Sequence, residues 1–278
     1  MGKERLDVLL VKRNLVDSRE KAKRLIMAGL VYTENERLDK PGMKVDDGIS
    51  LHVKETLRYV GRGGFKLEKA LLAFDVTIAN KIVVDIGAST GGFTDCALQN
   101  GAKLVYAIDV GYNQLAWKLR SDQRVVVHER TNFRYVSPQL FSEGLPNFAT
   151  IDVSFISLTL ILPVLKTIIQ PNSDIIALVK PQFEAKKEQV GKKGVIRNQQ
   201  IHREILEQLI TFAINEQFTF VALTFSPITG GEGNIEYLLH LRSSIKAEKY
   251  SEATYNINNS LIRDVVKLAH KTLYENGR

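Results

Sequence analysis

Two lysines and two carboxylates in this chain sit where proton chemistry would need them. Asp152 and Lys180 each close an apolar run that reads as a β-strand, Phe148-Ala149-Thr150-Ile151-Asp152 and Asp174-Ile175-Ile176-Ala177-Leu178-Val179-Lys180. In a doubly wound sheet of strand order 3-2-1-4-5 the first, fourth and fifth strands are neighbours, so Asp85, Asp152 and Lys180 leave along one carboxyl edge. A lysine in such a crevice is costly unless paired. Asp152 either neutralises it or shares proton chemistry with it, and strand position alone weighs the two equally. Lys66 in Arg62-Gly63-Gly64-Phe65-Lys66-Leu67, and Glu236 in Gly233-Asn234-Ile235-Glu236-Tyr237, would add a second pair and make an acid–base cluster.

Beside that cluster the sequence places a loop suited to a nucleoside. The first strand of the sheet runs into Asp85-Ile86-Gly87-Ala88-Ser89-Thr90-Gly91-Gly92-Phe93, where small residues let backbone approach a ligand at the start of the next helix. The following strand ends in Asp109, a carboxylate able to accept hydrogen bonds from both ribose hydroxyls. NAD is the alternative, but the run lacks a full G-x-G-x-x-G. The same residues satisfy G-x-S-x-G, yet a hydrolase elbow follows several strands, and neither His202 nor His240 has the context of a base. The five histidines show no ligand spacing, so no metal site is expected.

Strands at 81–85, 103–109, 125–127, 148–152 and 174–180 alternate with helical stretches near 65–74, 91–100, 113–120, 157–169 and 199–216. That alternation means a parallel sheet covered on both faces. The runs 218–225 and 235–241 are joined too closely for a crossover and must pair antiparallel. An α/β, Rossmann-like methyltransferase architecture fits this outline better than a dehydrogenase: a mostly parallel seven-stranded sheet with a terminal antiparallel hairpin. An amphipathic C-terminal helix over 260–273 is expected to pack on it. The 278 residues include 44% hydrophobic and 25% charged residues, a lone cysteine and a net charge of +7, which exclude disordered and disulfide-stapled classes. With no apolar run of membrane length and a charged N-terminus, the expected address is cytoplasmic.

Residues 1–56 read as a separate small α+β domain, 57–63 as a linker and 64–278 as the methyltransferase domain. In the first segment, Ser18 caps a helix carrying Arg19, Lys21, Lys23 and Arg24 outward, with Ala22, Leu25 and Ile26 inward. Short extended pieces follow at 30–33, 42–45 and 49–53. The pattern of Arg5-Leu6-Asp7, Ser18-Arg19, Ala22, Ile26, Gly29, Val31, Pro41-Gly42 and Val45 resembles the alpha-L RNA-binding motif. That resemblance implies that the basic helix face meets RNA phosphate.

The larger segment resembles ribose 2′-O-methyltransferases of the FtsJ/RrmJ-like class, whose Lys-Asp-Lys-Glu tetrad matches Lys66, Asp152, Lys180 and Glu236. The strings 59–67, 85–96, 152–158, 179–184 and 226–236 resemble the TlyA, or hemolysin A, family of rRNA cytidine 2′-O-methyltransferases. Departures are Gly61, where Ser is usual, and Lys186-Lys187, where Gly-Arg is more common. The resemblance implies S-adenosylmethionine as cofactor, held by Asp85, Gly87, Ser89, Gly91, Gly92, Phe93, Asp109 and Asn132. For a 2′-hydroxyl that must lose its proton, Lys180 is expected as base with Asp152 orienting it, and Glu236 holding Lys66 or the ribose. Ribosomal RNA or ribosomal subunits would be the partner, gripped by Arg5, the basic helix, Arg62 and the loop bearing Lys186, Lys187, Lys192, Lys193 and Arg197. That loop is polar enough to stay unpacked until RNA binds. The rival readings are a non-catalytic RNA-binding assembly factor and, on the family label alone, a membrane-active haemolysin.

Overall fold

The computed structural model describes every residue except Met1, Asp17, Ala28, Asn35, 55–57, 245–251 and 276–278, and the side chains of Arg24, Lys192, 252–258 and Glu275 are also outside the description. The basic roles expected of Arg24 and Lys192 therefore lie beyond the described side chains. The chain divides into two compact units, Met1–Arg58 and Tyr59–Arg278.

The smaller unit contains β1 (Lys3–Arg5), α1 (Leu6–Lys12), α2 (Arg19–Met27), β2 (Val31–Tyr32), β3 (Arg37–Leu38), β4 (Lys44–Asp46) and β5 (His52–Val53). Ser18 Oγ accepts the Lys21 N–H at 3.2 Å, the cap its sequence position predicts. Ala22, Leu25 and Ile26 then share one face of α2 and meet Leu6, Leu9 and Leu10 of α1 in a core closed by Val31, Leu38, Val45 and Leu51. Two strands escaped the sequence reading. β1 pairs antiparallel with β4, and β3 with β2. Lys3-Glu4-Arg5 has no apolar alternation, because its pairing is made by backbone alone.

Asp7 is completely buried and is held by Arg5 Nε at 3.0 Å and Arg19 Nη2 at 3.0 Å. The side-chain hydrogen bond from Arg5 leads in lowering its pKa from 3.8 to about 2. The folded value is depressed, so the stabilisation is complete above the unfolded value and is lost as pH falls from about 4 toward 2. Asp7→Asn is expected to flatten this acid limb in a pH series of unfolding midpoints; an unchanged limb would refute the assignment.

The larger unit continues with α3 (Gly63–Phe74), β6 (Ile82–Ile86), α4 (Gly92–Gln99), β7 (Leu104–Ile108), α5 (Trp117–Arg120), β8 (Val125–His128), β9 (Phe148–Ile151), α6 (Leu162–Ile168), β10 (Asp174–Val179), α7 (Pro181–Glu184), α8 (Gln199–Asn215), β11 (Phe218–Phe225), β12 (Tyr237–Ser243) and α9 (Glu252–His270). Sheet order is β11-β12-β10-β9-β6-β7-β8. β12 is antiparallel to both β10 and β11, while the pairs from β10 through β9, β6 and β7 to β8 are parallel. The hairpin thus folds β12 back between β10 and β11.

Alternating residues separate the two faces. Val83, Val105, Ile176 and Leu178 pack with Leu67, Ala70, Phe93 and Ala97 of α3 and α4. Val84, Tyr106, Ile175 and Ala177 pack with Leu162, Leu165, Leu206, Leu209, Ile262 and Val266 of α6, α8 and α9. The C-terminal helix is therefore part of the core, as its apolar stripe predicts. Tyr59, inside the segment expected as linker, is buried in the α3/α4 core. The helix expected from 113 starts only at Trp117, because Asn113 adopts φ 56° and Ala116 is extended. Among the described residues, no helix is long and apolar enough to cross a membrane.

Candidate active site

Four strand and helix ends converge on one cavity of about 290 Å³. β10 ends at Val179, and Pro181 starts α7, leaving Lys180 extended at the turn. Its Nζ lies 2.6 Å from Asp152 Oδ1, just past β9, and donates to Ser154 Oγ at 2.9 Å. Opposite, Lys66 on α3 donates to Glu236 Oε2 at 2.6 Å, immediately before β12. Side-chain exposures of 10% and 3% make this a buried ion pair. Burial raises the Glu236 pKa, opposed first by Lys66 and less by Lys180. A Cβ at Gly230 would lie 2.0 Å from Glu236 Oε1, so glycine is what lets the Thr229–Gly231 loop close over this carboxylate. The wall contains all four members of the proposed tetrad, together with Arg62, Gly87, Ser89, Gly92 and Phe93.

A second cavity of about 400 Å³ adjoins the first and shares Gly87, Ser89, Asp152 and Ser154 with it. Ile108, Val110, Phe133 and Ile156 give it an apolar wall, with Asp109 and Asn132 as polar members. Asp109 accepts the Ser89 N–H at 2.8 Å and the Gly111 N–H at 2.7 Å. Each of its oxygens keeps a further lone pair for a ligand hydroxyl. Gly87 has φ 85°, and a Cβ there would come within 2.5 Å of the Asp152 carbonyl, so the loop hugs the next strand end and leaves the space open. Paired cavities of this size, with an apolar slot and a carboxylate at its rim, fit a nucleoside with a polar extension.

Not every expected ligand residue reaches the cavities. Asp85 is fully buried and lines neither; it accepts hydrogen bonds from Thr94 Oγ1 at 2.6 Å and Thr150 Oγ1 at 2.9 Å. Through Thr94 it fixes the start of α4 under the loop. Gly91 lies against Leu115 and Leu119 and is likewise outside both linings. Burial pushes the Asp85 pKa up from 3.8 to about 6. The folded value is raised, so its contribution is complete below the unfolded value and lost as pH rises through 6. Between pH 4.5 and 7.5 the melting temperature of Asp85→Asn is expected to gain on the wild type; a constant gap would contradict this.

The hydrolase alternative finds no base. His240 pairs with Asp174 at 2.9 Å, at the start of β10 and so at the opposite end from Lys180, and His202 bonds Tyr237. Among the RNA candidates, Arg5 and Arg19 are exposed and paired to the buried Asp7, and Lys23 pairs with Glu20. Arg62 lines the first cavity. Lys186, Lys187, Lys193 and Arg197 are exposed, but their loop is not unpacked, because Ile196 is buried and bonded on both sides. Sequence reasoning missed Ser154, Thr94, Thr150 and Phe155. Phe155 is 90% exposed at φ 62° and packs its ring 4.9 Å from Phe183. Glu184 ties the two segments together by accepting from Ser157 Oγ and Leu158 N. A bulky residue in a left-handed conformation has no sequence signal, though the Asp152-Val153-Ser154-Phe155 string was itself conspicuous.

A doubly wound sheet with a reversed seventh strand, and twin cavities at its carboxyl edge, defines a methyltransferase that uses S-adenosylmethionine. Residues 59–243 match the FtsJ-like methyltransferase family and residues 4–48 match the S4 domain, and the chain belongs to the FtsJ-like methyltransferase family. It is 61% identical over 274 residues to YqxC of Bacillus subtilis (strain 168), which carries an rRNA methyltransferase name, covering 98% of this chain and 96% of that one. It is 43% identical over 241 residues to the Mycobacterium tuberculosis (strain ATCC 25618 / H37Rv) 16S/23S rRNA (cytidine-2'-O)-methyltransferase TlyA, covering 86% of this chain and 90% of that protein. A solved structure from Streptococcus thermophilus that carries a hemolysin name superposes with TM-score 0.76 at 54% identity, covering 100% of this chain and 99% of that one.

Proposed function

We propose that the protein transfers a methyl group from S-adenosylmethionine to a ribose 2′-hydroxyl, that of a cytidine, in ribosomal RNA. The observation that carries this reading is the pair of 2.6 Å ion pairs, Lys180 with Asp152 and Lys66 with Glu236, lining one cavity beside the nucleoside slot. Bound S-adenosylmethionine supplies a methyl carbon already activated by its positively charged sulfur. What the hydroxyl lacks is a partner to take its proton and a fixed direction of approach. Lys180 is the group that takes that proton, with Asp152 and Ser154 holding its Nζ in place. Glu236 holds Lys66 toward the ribose. Asp109 and Asn132 line the nucleoside slot, and Gly87, Ser89, Gly92 and Phe93 the part nearer the sulfur. In the small unit the face bearing Arg5, Arg19, Lys21 and Lys23 meets RNA phosphate, and in the large unit the loop bearing Lys186, Lys187, Lys193 and Arg197 does so. The division into an RNA-binding segment and a methyltransferase segment, with the substrate presented as RNA or as ribosomal subunits in the cytoplasm, belongs to the same proposal.

Incubation of ribosomal RNA with the protein and methyl-labelled S-adenosylmethionine tests it. Label is expected in dinucleotides that survive alkali, because a methylated 2′-oxygen cannot attack the adjacent phosphate. Label recovered only in mononucleotides would refute ribose methylation.

A further inference from the structure

Outside the catalytic cavity, three buried bonds tie the basic loop to the segment that carries Glu236. Ile196, 1% exposed, sits between Lys193 and Arg197. Its N–H donates to Asn234 Oδ1 at 3.1 Å, and its carbonyl lies 3.0 Å from His202 Nε2. A carbonyl only accepts, so Nε2 carries the ring proton and Nδ1 is an acceptor. Tyr237 Oη at 2.7 Å therefore donates to Nδ1, and His270 Nε2 lies 3.2 Å from the same nitrogen. Burial lowers the His202 pKa to about 4, which keeps this neutral tautomer at ordinary pH. Asn234 also donates to Gly194 O at 2.9 Å. Asn234 and Tyr237 flank Glu236 in sequence, so both backbone groups of Ile196 are held by the neighbours of Glu236, one directly and one through a single imidazole. Adjacent residues at a strand point to opposite faces: Tyr237 turns into the α8/α9 core while Glu236 faces the cavity.

We propose that His202 and Asn234 are positioning residues that transmit the seating of the basic loop on RNA to Glu236, and through its ion pair to Lys66. The inference rests on the reading of that loop as an RNA contact. A loop drawn onto phosphate moves its anchor Ile196, and a fully bonded, buried anchor passes the displacement on to the segment that holds Glu236.

A double-mutant cycle decides this, with RNA affinity and the single-turnover methylation rate at saturating RNA measured separately. The loop change is Lys187→Gln with Lys193→Gln; the coupling change is His202→Phe, which keeps the ring and removes both nitrogens. In the wild-type background the loop change is expected to weaken RNA binding and to lower the saturated rate about 10-fold. In the His202→Phe background it is expected to weaken RNA binding by the same factor and leave the already lowered rate unchanged. His202→Gln, which restores a donor to the Ile196 carbonyl, is expected to recover part of the coupling. Rate losses that multiply independently would overturn the proposal. A loop change without effect on RNA affinity would overturn the loop's reading and the coupling with it. Should His202→Phe fail to fold, Asn234→Ala cuts the other bond and the same cycle applies.

Discussion

Lys180→Met is expected to lower the single-turnover rate of methyl transfer by about 10²–10⁴-fold, the range over which a positioned base accelerates proton removal. The substitution preserves the side chain's length and apolar stem while deleting the amine that reaches Asp152 at 2.6 Å and Ser154 at 2.9 Å. S-adenosylmethionine affinity, measured by calorimetry, is expected to change little, since Asp109 and the apolar slot of the second cavity are untouched. Undiminished turnover in Lys180→Met would remove Lys180 from the chemistry.

The second large effect concerns the buried pair. Lys66→Met leaves the Glu236 carboxylate without its cation at 3% side-chain exposure. Removing one partner of a buried ion pair costs about 3–5 kcal/mol, because the remaining charge is stranded away from water. A fall in unfolding free energy of that order is expected, together with loss of methyl transfer. Lys66→Met combined with Glu236→Gln removes both charges and is expected to regain most of the stability without regaining activity. Thermal or urea unfolding beside single-turnover assays separates the two. A double variant as unstable as Lys66→Met would mean that the pair is not what holds these elements together. A double variant with restored activity would mean that it is not part of the chemistry.

The strands and their order were readable because buried parallel strands are written as continuous apolar runs, and a strand end places its next residue on a known edge. Asp152 and Lys180 could be paired from that rule alone. Lys66 and Glu236 could be assembled because a helix start and a hairpin end border the same cleft. The same rule puts Asp85 on that edge, but it gives the edge and not the direction of the side chain. Thr94 and Thr150 turn its carboxylate into the core. The anchoring of Ile196 was invisible because its partners, Asn234 and His202, are distant in sequence and bond to backbone, which leaves no pattern in side-chain types. Lys3-Glu4-Arg5 hid a strand for the related reason that backbone pairing places no demand on composition.

The most direct measurement is mass spectrometry of nucleosides from ribosomal RNA methylated by the wild type and by Lys180→Met in parallel. The account expects 2′-O-methylcytidine from the wild type and none above background from the variant. Methylcytidine carrying the group on its base, or the same 2′-O-methyl product at the same rate from the variant, would contradict it.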